Sequence, residues 1–269
     1  MRTWIKEWII QSSLFHFPAW SRDLLRVWYR NFFYFKKRWM VSFFWIALEP
    51  TIVLASLGFG LGSYVKDIDG RPYSDFFFPG LLCSTAMFVS FFEATYANLG
   101  KLRFQNIYIT MLHAPLVPED IVLGEILWSA TKGTLSAAAL GLFGLLLGLI
   151  NASLIPALFV IFILCWFFAS LGTIMITLVR SYDDVIYPTS GLIVPMSLFC
   201  GVYFPIEPLS IFFKIFIYCL PLTHAVSLVR HLSFGTLVAW DSLHLALLLV
   251  FALLTTNVAV ARFSRQLMR

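Results

Sequence analysis

Long apolar runs dominate this chain, and charge and proline concentrate in the short stretches between them. A helix crosses a hydrocarbon layer with roughly 20 apolar residues at about 1.5 Å each. Six windows meet that requirement: 40–62, 76–99, 126–150, 152–179, 185–206 and 242–261. Pro156, Pro188 and Pro195 fall in the fourth and fifth windows, so kinks or end effects are expected there.

Three segments have the pattern of helices that do not cross. Over 18–36, Arg22, Arg26 and Arg30 recur at i, i+4 and i+8, while Trp20, Leu24, Val27 and Trp28 fall largely elsewhere. Such a helix lies in the interface with its aromatics among headgroups and its arginines toward water and phosphate. It serves either as a topology anchor or as a docking surface for a cytoplasmic partner.

The stretch KLRFQNIYITMLHAPL (101–116) reads as a short amphipathic helix broken by Pro115, with Pro118, Glu119 and Asp120 starting the next helix. It suits a groove of a motor protein, or it is an ordinary interfacial helix. Residues 209–220 are apolar but too short to cross, contain Lys214 and lie between Pro208 and Pro221, which predicts a re-entrant or interfacial pair of short helices.

Composition places these helices in a membrane. Hydrophobic residues make up 60% of the chain and charged ones 12%, against about a quarter charged in soluble domains. The net charge of +5 and pI near 9.1 could suggest nucleic acid, but the basic residues flank the apolar windows and no nucleic-acid module is recognisable. Arg2, Lys6, Arg22, Arg26, Arg30, Lys36, Lys37 and Arg38 precede the first window. Lys101, Arg103, Arg180, Arg262, Arg265 and Arg269 share its side, and only Lys66, Arg71, Lys214 and Arg230 oppose them.

The positive-inside rule then puts both termini in the cytoplasm. The expected fold is all-α and polytopic, with a cytoplasmic amphipathic arm (1–39), a six-helix membrane domain (40–262) and a cytoplasmic tail (263–269). The first apolar run long enough for a signal core lies beyond Trp39 and is long enough to span, so it is expected to be an uncleaved insertion signal. Cys83, Cys165, Cys200 and Cys219 sit in apolar surroundings and read as small buried hydrophobes. Cys200 and Cys219 flank the segment expected outside, which leaves a bridge between them open, and their spacing alone does not support one.

The chain has no GxxxxGK[ST] phosphate loop, HExxH, GxSxG or Cys/His ligand spacing. No cofactor is expected to bind it. His224 and His231 are two helical turns apart, but apolar residues fill most positions between. Charges inside the windows are costly and therefore stand out: Glu49 near the middle of the first, Glu93 toward the cytoplasmic end of the second, and Lys132 at similar depth on the third. Consecutive antiparallel helices could bring Glu93 to Lys132, either as a packing pair or as a polar lining for a substrate path. Asp183 and Asp184 could alternatively hold the metal of a membrane-embedded glycolipid enzyme, although helix-start charges are the simpler reading.

The motifs DGRPYSDF (69–76), AMFVSFFEATYANLG (86–100), DIVLGEILWSATK (120–132), ASLG (169–172), SYDD (181–184), FPIEPL (204–209) and LPLTHAVSLVR (220–230) occur in this order. Together they resemble the ABC-2 type permeases, most closely the nodulation protein J group of lipo-oligosaccharide exporters; the first forty residues match poorly.

The resemblance implies a six-span permease of the bacterial inner membrane that pairs with a second copy of itself. Two separate ABC ATPase subunits would bind ATP and Mg and drive it, and its cargo would be an amphipathic glycolipid taken from membrane lipid. Relatives in the wider family move other lipids or drugs. By the same resemblance Leu102, Arg103, Asn106, Ile107, Thr110, Met111 and His113 belong to a coupling helix (101–114). Pro205, Pro208, Pro221 and His224 belong to a re-entrant gate (205–221) shielding the outer exit. Glu93 and Lys132 fall in matching motifs, and Glu49 stands where the group has an acidic residue before a proline.

Overall fold

The computed structural model describes residues 21–65, 67–68 and 70–268. The start of the arm (Arg2, Lys6, Pro18 and Trp20 included), Lys66, Asp69 and Arg269 lie outside the described residues. Every named element is helical.

The arm helix α1 spans Leu24–Lys37 and buries Leu24, Val27 and Asn31. It is followed by α2, Trp39–Ser63. Pro50 has no N–H and crowds the carbonyl one turn back, at Ile46. That carbonyl accepts the Ser136 hydroxyl at 2.7 Å. The helix widens into π-helical turns on either side of the proline, at Phe44–Leu48 and Leu54–Gly60.

Next come α3, Tyr73–Arg103, the short α4, Ile107–Leu112, α5, Pro118–Leu146, and α6, Leu154–Ile176. Helix α7 (186–199) runs head to tail through Ile186–Pro188, Thr189–Ile193 and Val194–Phe199. Helices α8, Ile211–Tyr218, and α9, Pro221–Phe234, precede the last, α10, Trp240–Leu267.

Helices α3, α5 and α6 form the centre, with α10 and α9 against them. Close approach is set by glycines, as in other lipid-embedded bundles. A Cβ on Gly133 of α5 would lie 2.7 Å from the Ala86 carbonyl oxygen of α3 and 2.8 Å from Cys165 Sγ of α6. One on Gly172 of α6 would lie 2.8 Å from the Ala94 methyl.

Among the described residues four helices, α2, α3, α6 and α10, are long and apolar enough to cross a membrane, or five if the bent α8–α9 pair is one crossing. The six expected windows differ from this in two places. Helix α5 has the length, 29 residues, but Lys132 and its Gly, Ser and Thr positions dilute its apolar character. Helix α7 stops at Phe199 and is about 21 Å long, short of the ~30 Å hydrocarbon core. Beyond it the chain stays irregular through Pro205 and Pro208 to Ser210. A six-crossing count therefore needs two more crossings from α5, α7 and the bent α8–α9 pair.

The outer segment is the pair α8 and α9, bent by 90°, and it extends to Phe234, beyond the expected limit at 221. All four cysteines are free, Cys200 buried and Cys219 exposed.

Candidate functional site: a buried charge network where the arm meets the bundle

The expected coupling helix over 101–114 is two pieces. Lys101, Leu102 and Arg103 continue α3 to its end. The chain then turns at Phe104–Asn106, where Asn106 takes a left-handed conformation, φ 51°, which asparagine tolerates better than most residues. Only Ile107–Leu112 is a separate helix. Its Tyr108 and Met111 are buried, while Ile109 and Thr110 face outward with Phe104 and Arg103. Tyr108 packs edge-on against Phe263 of α10, ring centroids 5.5 Å apart. Burial, and then the nearby Glu125 carboxylate, push its hydroxyl pKa well above the usual phenol range. His113 lies exposed just past the helix.

Because Lys101 stays on α3, its amine points into the bundle. It meets Glu125 of α5 at 2.6 Å and donates to Asn98 Oδ1 at 3.0 Å. The Glu125 side chain is wholly buried. It also accepts Arg30 Nη2 at 3.2 Å and Asn31 Nδ2 at 2.9 Å, both from α1. A buried carboxylate is tolerable only with this kind of full engagement.

One turn along α5, Trp128 Nε1 donates to Glu93 Oε1 at 2.7 Å, and Lys132 Nζ meets Glu93 Oε2 at 2.6 Å. Glu93 opens a π-helical turn of α3, Glu93–Ala97, a distortion frequent at functional sites. Trp28, Phe32 and Phe35 of α1 surround the Trp128 ring with centroids 5.6–6.4 Å away.

Helix α1 reaches this position because α5 presents a glycine. A Cβ on Gly124 would lie 2.6 Å from Val27 Cβ and 2.7 Å from the Leu24 carbonyl oxygen. Ser21 Oγ adds a hydrogen bond to Asp120 at 3.0 Å, and Trp28 Nε1 one to Thr131 at 3.1 Å. Between α1, α3, α4 and α5 lies a cavity of about 630 Å3, bordered by Arg30, Arg38, Glu93, Lys101, Trp128 and Lys132 among others.

Of the arginine stripe on the arm, Arg22 and Arg26 are exposed as expected, while Arg30 turns inward to a carboxylate. Arg26 pairs locally with Asp23 at 2.9 Å. Glu125 and Asn31 escaped the sequence reading. Glu125 lies one residue before the third apolar window, 126–150, and so is not among the charges inside the windows. Glu49 lies exposed on α2, whose crossing window is only 18% buried.

At the end of the bundle that carries α8 and α9, His224 meets His244 of α10 rather than His231, Nδ1 to Nδ1 at 2.7 Å, and His231 meets Asp241 at 2.7 Å. Pro221 starts α9; Pro205 and Pro208 lie in the irregular stretch before α8. In the loop after α6, Asp184 Oδ2 accepts the backbone N–H of Arg180 at 2.9 Å and of Ser181 at 3.0 Å. These bonds hold its carboxyl below the usual range and engage it as a loop cap.

The family model described as ABC-2 type transporter matches residues 22–234. Nodulation protein J of Rhizobium leguminosarum bv. viciae is 35% identical over 253 residues, covering 94% of this chain and 98% of that protein. Nodulation protein J of Rhizobium meliloti (strain 1021) is 34% identical over 252 residues, covering 93% and 96%. With all-helical architecture and end-to-end likeness to these relatives, the chain belongs to the ABC-2 type transporter family, as a membrane component of that class.

Proposed function

We propose that this chain is the permease subunit of an ATP-binding-cassette exporter that moves an amphipathic lipo-oligosaccharide or lipid-linked glycan across the bacterial inner membrane. Two copies would pair, with both termini in the cytoplasm, and two separate ATPase subunits would supply the drive. The observation that carries the reading is the continuous connection behind α4. The exposed face of α4, with Ile109 57% accessible, is a handle for a partner; the Lys101–Glu125–Arg30 network ties the adjoining end of α3 to α5 and to the arm.

A push on α4 would thus reach three elements through charge-assisted bonds rather than through lipid-facing contacts. The lipo-oligosaccharide cargo is supported by the likeness to the nodulation protein J group. The glycolipid-enzyme reading loses its acidic pair, because Asp184 already caps its own loop.

The test is reconstitution with the cognate ATPase and measurement of vanadate-sensitive hydrolysis. Ile109→Asp, at an exposed position, is expected to lower permease-stimulated hydrolysis about tenfold, equivalent to about 1.4 kcal/mol at the interface, with unchanged thermal unfolding. Hydrolysis indifferent to α4, or export by the purified chain without any nucleotide-hydrolysing companion, would overturn the reading.

A further inference from the structure

The inner cavity carries more positive charge than the ion pairs around it consume. Arg30, Arg38, Lys101 and Lys132 border it, with Glu93 as the acidic residue on its lining. Glu125, behind the wall, engages both Lys101 and Arg30, while Glu93 engages Lys132. Among the described residues, two carboxylates therefore face four cations.

The surplus is localised. Among the described residues Arg38 has no carboxylate within salt-bridge distance, and its guanidinium lies over the Tyr34 ring, 5.4 Å from the centroid. Arg30 keeps about a third of its side chain accessible. A cavity of about 630 Å3 is in the range that holds a small organic ligand, roughly 300–1,000 Å3. Its lining alternates these cations with Tyr34, Phe35, Val41 and Trp128.

We infer that this cavity binds the phosphate-bearing headgroup of an anionic membrane lipid, with Arg38 at its mouth and Arg30 as the principal charges. A phosphate accepts several charge-assisted hydrogen bonds at once and matches the fork of an arginine. The aromatic and aliphatic wall suits the glycerol and upper acyl carbons that accompany a lipid phosphate, and a free phosphate would leave that wall unused. The position agrees: Val41 and Ser42, at the start of the apolar helix α2, border the same cavity as the basic end of the arm. The site would be occupied in the permease alone, so it does not depend on the exporter reading or on any ATPase.

The experiment is native mass spectrometry of the full chain in neutral detergent. It is titrated separately with phosphatidylglycerol, with phosphatidylcholine of the same acyl chains, and with inorganic phosphate. Phosphatidylglycerol is expected to bind about tenfold more tightly than phosphatidylcholine, and Arg38→Gln to remove that preference. Arg38→Lys should retain most of it. Lys37→Gln, which removes a neighbouring cation outside the lining, should leave it unchanged. Ser42→Phe, which fills the cavity and alters no charge, should abolish retention.

Equal binding of the two lipids would overturn the inference. So would equal losses in Arg38→Gln and Lys37→Gln, since surface attraction would then be enough. Displacement of phosphatidylglycerol by equimolar inorganic phosphate would assign the site to a soluble anion and overturn the lipid source.

Discussion

The two ends of the bundle hold their buried polar groups by different means. At the arm end, Glu93 and Glu125 each contact a lysine amine at 2.6 Å, and Trp128, Asn31 and Arg30 complete their coordination. At the end that carries α8 and α9, Arg230 donates to the carbonyl oxygens of Gly201 at 2.7 Å and Phe76 at 3.3 Å, and its guanidinium lies 3.9 Å from the Phe76 ring centroid. No carboxylate lies within salt-bridge distance of it among the described residues.

The α9–α10 seam relies on the His224–His244 contact and the His231–Asp241 pair. A pair of opposite full charges adds Coulombic attraction to the charge-assisted hydrogen bond that Arg230 and Asp241 also make. The arm end therefore joins α1, α3 and α5 as a unit through three Lys or Arg pairs with carboxylates, while the α8–α9 end, with helices of 8 and 14 residues bent by 90°, is the more easily rearranged.

The sharpest break of this contrast is Glu125→Ala, which strands Lys101 and Arg30 without their carboxylate. A loss of about 3–5 kcal/mol is expected, read as thermal unfolding in detergent, with Glu125→Gln milder because it still accepts from Asn31. Trp128→Phe removes one hydrogen bond to a charged acceptor, for about 1.5–3 kcal/mol, and should also loosen the aromatic contact with the arm.

Gly124→Val places methyl groups where Val27 and the Leu24 carbonyl already sit. It should cost about 1–3 kcal/mol and expose 22–37 to limited proteolysis while the rest of the bundle stays resistant. The smallest effect is expected at the α8–α9 end. There His244→Gln exchanges one neutral hydrogen bond for another and should cost no more than about 0.5–1.5 kcal/mol. A loss there as large as that of Glu125→Ala would erase the distinction between the two ends.

How legible each part was depends on how locally it is encoded. Glu93 and Lys132 stood out because each interrupts an apolar window of consecutive helices, and the structure brings them to 2.6 Å. Glu125 did not, since a carboxylate seven residues after Pro118 also suits the start of a helix. The available signal was the pair of cations, Lys101 and Arg30, flanking the segments next to it. Arg30 belongs to a regular i, i+4, i+8 stripe, and periodicity alone cannot distinguish an arginine facing water from one turned onto a buried partner. The His224–His244 contact joins two helices through a bend, which no spacing rule anticipates.

Class, helical content and the approximate limits of α2, α3, α6 and α10 followed from the sequence alone, because apolar run length and the demand that backbone groups pair within lipid leave little choice. The motifs were enough to indicate the family. Tertiary structure alone decided which charges meet, where the arm docks, and that Lys101 faces inward rather than toward a partner. Those outcomes depend on Gly124 permitting contact within a few ångströms and on the turn at Asn106 that ends α3. Ion-pair energies change steeply over such distances, and one-dimensional pattern does not contain them.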